Sequence, residues 1–164
     1  MSIVQIIGQQ GSGKTTLVAN LVRHYNNNSF AVATLKHTSH DYELDKPGKD
    51  SYIHRHSGAN PAGIVTSKMA ALFFPISDMA KPDLLIQKYF SHADIILIEG
   101  WLSGPYPKIE VWRRSVGKPP LFPNLPSVKA LACNYEPDVV DGHTIDILDL
   151  DRIKNIADYI LNMN

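Results

Sequence analysis

The chain of 164 residues has one cysteine, Cys133, so no disulfide closes within it and a reducing compartment is expected. It has no excess of charge: 16 Lys+Arg stand against 16 Asp+Glu. That balance excludes a general nucleic-acid binder, which normally carries a basic surplus. No apolar run approaches the 18 residues of a membrane span, and the opening MSIVQIIG lacks the basic start of a signal peptide. Neither nucleic acid nor membrane is therefore expected as a partner, and a cytoplasmic location is. Arginine is scarce too, with only Arg23, Arg55, Arg113, Arg114 and Arg152. A small-molecule kinase usually clamps phosphate with mobile arginines, and no arginine-rich lid is visible. No repeat or low-complexity tract appears, and the length fits one domain over 1–164.

What is present is a set of short apolar runs alternating with helical patterns. Ser2–Ile7, Phe30–Leu35, Asp94–Glu99 and Val128–Cys133 read as buried strands, and 144–150 as a further short one. Thr15–Tyr25 carries Leu17, Val18, Leu21 and Val22 at helical spacing, and Pro82 opens another helix. A terminal helix follows Asp151, which reads as its N-cap. Strand–helix alternation implies a mostly parallel α/β sheet flanked by helices. An antiparallel hairpin is expected as an excursion at about 61–75. Its apolar residues, Val65, Met69, Leu72, Phe73 and Phe74, exceed what a lone hairpin can bury, which predicts a homodimer. Six of the eleven prolines lie between Pro105 and Pro126, where ordered loop is expected. Within it, the alternating Pro107–Val111 reads as an edge strand, with charges that either discourage aggregation or face an anionic partner.

Gly8, Gln9, Gln10, Gly11, Ser12, Gly13, Lys14, Thr15 and Thr16 join the first strand to the first helix and match G-x-x-x-x-G-K-[ST] without a gap. The glycines let successive N–H groups turn inward around phosphate, at a helix N-terminus that favours anions. Lys14, expected as a solvent-facing charge, would reach the β- and γ-phosphates of a nucleoside triphosphate. The Thr15 hydroxyl would ligate Mg²⁺, and Thr16 would assist at the α-phosphate. This chemistry needs an acid at the end of a neighbouring strand. Glu99, closing DIILIE before Gly100, is that candidate for the metal or for catalysis together with Lys14.

No N-K-x-D motif is present to read a base. Asn134, at the end of the Val128–Cys133 strand, and Asp138 just beyond it stand where a base-reading loop begins, and each also suits a turn. From Lys36 to Ala59 the chain is dense in polar groups. His37, His40, His54 and His56 invite a zinc reading and with it a metallochaperone, but the spacing lacks thiolates. A switch-like loop fits better: Lys36, His37 and Lys49 would face phosphate, and Asp45 or Asp50 the metal.

GQQGSGKTTL, KHTSHDYELDKPGKDSYIHRHSGA, DIILIEGW and PKIEVWR occur in this order, and together they resemble the molybdopterin-guanine dinucleotide biosynthesis protein B family, MobB. The resemblance runs from residue 2 to about 133. It covers the phosphate loop, Lys36, His37, His40, Asp45, Gly48, Lys49, Asp50, Ser51, Glu99, Gly100, Pro107, Lys108, Glu110 and Arg113. It implies a P-loop fold and a GTP-binding accessory protein that helps attach GMP to molybdopterin, with weak GTPase activity and Mg²⁺. It also implies a homodimer and a partner molybdopterin nucleotidyltransferase (MobA-like), with molybdopterin itself as a further ligand. Trp101-Leu102 departs from the family's Phe-Lys, and Asn134 stands where many members have aspartate.

Overall fold

The computed structural model describes residues 1–76, 82–135, 137 and 144–163. Its strands are β1 (Ser2–Ile7), β2 (Val32–Lys36), β3 (Ala62–Val65), β4 (Ala70–Phe73), β5 (Ile95–Glu99), β6 (Lys108–Val111), β7 (Val128–Cys133) and β8 (Asp146–Asp149). Its α-helices are α1 (Lys14–Asn27), α2 (Asp50–His56), α3 (Pro82–Tyr89) and α4 (Ile153–Leu161). They form two compact units: Met1–Thr38 with His92–Asn164, and Ser39–Ser91.

The first unit is a six-stranded sheet in the order β2-β5-β1-β6-β7-β8, with every pairing parallel. Period-two alternation decides which side chains meet the helices. Val4 and Ile6 of β1, Ile95 and Leu97 of β5, Ile109 and Val111 of β6, and Ala130 and Ala132 of β7 share one face. Leu17, Val18, Leu21 and Tyr25 of α1 and Ile156, Ala157 and Ile160 of α4 cover it. Each large aliphatic side chain so buried contributes roughly 1.5–3 kcal/mol. Tyr25 Oη donates to the Ala157 carbonyl at 2.9 Å, tying the two helices together. Ile7, Trp112, Phe122, Leu131 and Cys133 form a second cluster. The run DIILIE is buried throughout its Ile and Leu residues, as a strand inside a parallel sheet requires.

The second unit contains α2, the antiparallel hairpin β3–β4 and α3. The hairpin pairs Ala62 with Phe73 and Val65 with Ala70. It leaves Val65, Met69 and Leu72 exposed.

Four sequence expectations change. Phe30 belongs to the turn before β2: its N–H bonds the Tyr25 carbonyl and its ring meets Tyr25 edge-on. The polar stretch from Lys36 to Ala59, read as a loop, contains the short helix α2. Asp151 does not cap α4, whose N-cap is Arg152 with no side-chain cap bond. The strand at Lys108–Val111 lies inside the sheet, between β1 and β7, with all four residues buried.

Candidate nucleotide site

The loop from Gly8 to Gly13 leaves the carboxyl end of β1, an inner strand, and runs into α1. Ligands bind in open parallel sheets at this edge. Two glycines are required by geometry. A Cβ at Gly8 (φ +143°) would run into the Val111 carbonyl oxygen. Gly13 turns left-handed at φ +98° as the N-cap of α1, with the Arg113 guanidinium packed against it. The loop is thus held in a tight bend at the α1 N-terminus, a frame suited to an anion. Ser12 is fully buried, and its hydroxyl has no hydrogen-bond partner among the described residues. Gln10, Gly11 and Thr16 are exposed, while Gln9 is half-buried.

Lys14 is half-buried rather than solvent-facing. Its ammonium donates to the Gly8 carbonyl at 3.0 Å and the Gln9 carbonyl at 2.8 Å. Burial lowers its pKa from the usual lysine value; Glu99 opposes that shift and Lys36 adds to it. Thr15 Oγ1 donates to Glu99 Oε1 at 2.8 Å, and the Lys36 ammonium lies 4.0 Å from the same oxygen. Four of the sequence candidates, from α1, β2 and β5, are therefore brought to one place. Parallel pairing explains why: β2 and β1 flank β5, and Lys36 pairs directly with Glu99. A hydroxyl and a carboxylate oxygen beside two ammonium groups are hard donors and cations suited to Mg²⁺ and a polyphosphate.

Beyond Glu99 the chain turns sharply. Gly100 takes φ +88°, and a Cβ there would lie 2.6 Å from the His37 carbonyl oxygen. Trp101 follows at φ +62°, a region that costs a non-glycine residue energy. Its carbonyl accepts from Gln5 Nε2 at 2.7 Å, and its indole stacks on His37 with centroids 5.7 Å apart. His37 thus packs against an aromatic ring beside the acid, and its backbone N–H bonds the Glu99 carbonyl.

On the other side of β1 a polar chain leads away from the loop. Arg113 Nε donates to the Ser12 carbonyl at 3.1 Å, and its Nη1 donates to Asn134 Oδ1 at 2.9 Å. Asn134 Nδ2 then donates to Asp151 Oδ2 at 2.6 Å.

Lys108 and Glu110 take no part in a ligand-facing surface, and both sequence readings of them fall. Lys108 is 1% exposed and donates to the Gly104 and Tyr106 carbonyls at 2.6 and 3.0 Å. Glu110 is 0% exposed and accepts the Leu121 and Phe122 N–H groups at 2.7 and 2.9 Å. Burial raises its carboxyl pKa, and those two donors pull it back. The charges fasten the proline-rich loop from inside.

Asp45, Lys49 and Asp50 belong to the second unit. Asp45 Oδ1 accepts from Ser51 Oγ at 3.1 Å and from the Lys46 N–H at 2.8 Å, while its buried Oδ2 has no partner among the described residues. Lys49 and Asp50 are exposed at the start of α2, where an acid favours the helix dipole. The His56 ring stacks on Tyr52 at 3.8 Å. Asp138 lies outside the described residues.

The family model for "Molybdopterin guanine dinucleotide synthesis protein B" matches residues 3–134. The chain belongs to the MobB family. A molybdopterin-guanine dinucleotide biosynthesis adapter protein of Haemophilus influenzae is 33% identical over 162 residues, covering 98% of this chain and 88% of that one. The Escherichia coli adapter protein is 29% identical over 166 residues, covering 92% and 86%. A crystal structure of a molybdopterin-guanine biosynthesis protein B shares the fold with a TM-score of 0.72 at 21% identity, over 99% of both chains. HypB of Helicobacter pylori, crystallised with nickel, shares the fold more loosely, at TM-score 0.53 and 16% identity. What these structures share with the chain is the α/β fold, a mostly parallel sheet flanked by helices.

Within this MobB-family chain, three contributors escaped the sequence. Gln5 interrupts an otherwise apolar strand, a signal that a buried amide has a task; it secures the Trp101 turn. Arg113 was marked by the resemblance and, with Arg114, as a basic surface for an anionic partner, not for its bond to the Gly8–Gly13 loop, which spans 101 residues. Asp151 was read as a cap because it precedes a helix.

Proposed function

We propose that this chain binds GTP with Mg²⁺ at the Gly8–Thr16 loop and serves as an accessory protein when GMP is attached to molybdopterin. The observation that carries the reading is the meeting of Thr15, Glu99 and Lys36 beside Lys14 at the end of β1. The relatives' role in guanine dinucleotide synthesis supports guanine as the base. Lys14 would turn from the loop carbonyls to phosphate, Lys36 would add a second cation, and Thr15 and Glu99 would serve as metal ligands. Bound Mg²⁺ would neutralise phosphate charge and polarise the terminal phosphoryl group. The chain carries weak GTPase activity, and a partner nucleotidyltransferase performs the main transfer. In the same reading Lys49 is a further phosphate cation, and Asp45 or Asp50 a further metal ligand. Hydrogen exchange across 39–59 should slow when Mg²⁺ and GTP are added; unchanged exchange removes those three residues from the site.

The protein acts as a homodimer in this reading. Val65 is 80%, Met69 73% and Leu72 57% exposed on a two-stranded hairpin, and such a patch calls for a cover. Sedimentation at micromolar concentration should give about twice the 18.2 kDa chain mass. A monomer throughout that range refutes the dimer. The accessory role is tested by adding the chain to a purified molybdopterin nucleotidyltransferase. Faster guanine dinucleotide formation is expected, and with Lys14→Ala the gain should vanish. No gain from the unaltered protein refutes it.

A further inference from the structure

The chain lacks the usual guanine-reading motif, yet it places an ordered set of polar atoms at the ends of β7 and β8. Asn134 follows β7 directly, and Asp151 lies two residues beyond β8, its N–H held by Asp149 Oδ1 at 2.9 Å. The amide orientation of Asn134 is fixed by its neighbours. Arg113 can only donate, so Oδ1 faces the guanidinium; Asp151 can only accept, so Nδ2 faces the carboxylate. Nδ2 keeps a second hydrogen, and Asp151 Oδ1 meets no donor among the described residues. Read in order, the pair offers a donor (Asn134 Nδ2), an acceptor (Asp151 Oδ2) and an acceptor (Asp151 Oδ1).

Guanine presents the complement along its pairing edge: the O6 acceptor, the N1–H donor and the N2–H donor. Cytosine reads guanine with the same donor–acceptor–acceptor order. Adenine presents a donor and then an acceptor, and would set its N6–H₂ against Nδ2 and its bare N1 against a carboxylate oxygen. We propose that Asn134 and Asp151 together read the guanine edge, Asn134 Nδ2 at O6 and the Asp151 carboxylate at N1–H and N2–H. The proposal deepens the GTP reading and rests on it.

Position supports it. Arg113 holds the Ser12 carbonyl of the phosphate loop with one nitrogen and Asn134 with another. One rigid guanidinium therefore sets the base-reading pair against the phosphate loop. Both lie at the carboxyl edge of the sheet, where a nucleotide reaches from one strand end to the next. The carboxylate is also exposed, as a group that meets a ligand must be.

The test is a set of Mg²⁺-nucleotide titrations on the whole chain. With the unaltered protein, ITP, which lacks the 2-amino group, should bind roughly tenfold more weakly than GTP, as loss of a hydrogen bond to a charged acceptor implies. Asp151→Asn keeps an acceptor for Asn134 and turns the last acceptor into a donor. It should lose GTP affinity roughly ten- to hundredfold and favour XTP, whose 2-oxo group accepts from the new amide. Equal affinity for ITP and GTP in the unaltered protein overturns the proposal, whether or not the variant folds. So does a folded Asp151→Asn that still prefers GTP to XTP, or the same exchange appearing in Asp138→Asn instead. An unaltered protein that binds ATP as well as GTP refutes the GTP reading itself, a result distinct from these.

Discussion

On one side of β1 a carboxylate on β5 meets a lysine from β2, and on the other β6 carries both a lysine and a carboxylate, with opposite outcomes. Glu99 is the last residue of β5, its side chain 13% exposed, and it meets Thr15 and, through the neighbouring β2, Lys36. Glu110 lies within β6, fully buried, and its two oxygens are taken by the backbone of the proline-rich loop. Lys36 is 68% exposed, while Lys108 is sealed against two carbonyls. An acid or base at the end of a parallel strand opens to the ligand edge. The same group one residue (Glu110) or three residues (Lys108) before the strand end is enclosed, and the protein must satisfy it internally.

That contrast breaks most visibly at Lys108. Lys108→Ala removes a buried donor, leaves the Gly104 and Tyr106 carbonyls unpaired and opens a cavity. A stability loss of about 2–4 kcal/mol is expected in urea unfolding. A loss below about 0.5 kcal/mol would mean the lysine is not structural.

Glu110→Gln should cost about 1–3 kcal/mol, since an amide accepts only one of the two N–H bonds well. Its pH dependence has a definite sign. Burial raises the folded pKa of Glu110, so the stabilisation linked to its proton is fully present below the unfolded carboxyl value. It is lost as pH rises through the raised folded value. The deficit of the glutamine variant relative to the unaltered protein should therefore shrink as pH rises through that window. A deficit that grows would contradict the buried-acid reading.

Glu99→Gln should behave oppositely, with stability within about 0.5 kcal/mol and Mg²⁺-nucleotide affinity down roughly tenfold. Equal affinity would remove Glu99 from the metal. The smallest effect is expected at Lys36→Ala: a several-fold loss of nucleotide affinity at low salt, fading as salt screens an exposed charge, and no measurable change in unfolding.

The α/β order, the hairpin and the glycine-rich loop between β1 and α1 were legible because each has a local signature: apolar runs, a two-strand pattern and fixed glycine spacing. The fates of Lys108 and Glu110 were not. Alternating charges in Pro107–Val111 look alike on an edge strand and on an inner strand whose charges are satisfied by loops. The short helix α2 carries too little hydrophobic period to show itself. The Arg113–Asn134–Asp151 chain was hidden for another reason. Its members are 21 and 17 residues apart and meet only because β6, β7 and β8 are neighbours.

The central claim is that the Gly8–Thr16 loop holds Mg²⁺-GTP through Lys14. Calorimetric titration of GTP and ATP into the unaltered protein and into Lys14→Ala, with circular dichroism confirming an unchanged fold, tests it most directly. GTP should bind more tightly than ATP, and the variant should lose roughly ten- to hundredfold in GTP affinity. Undiminished affinity in the variant, or ATP bound as tightly as GTP, would contradict the account.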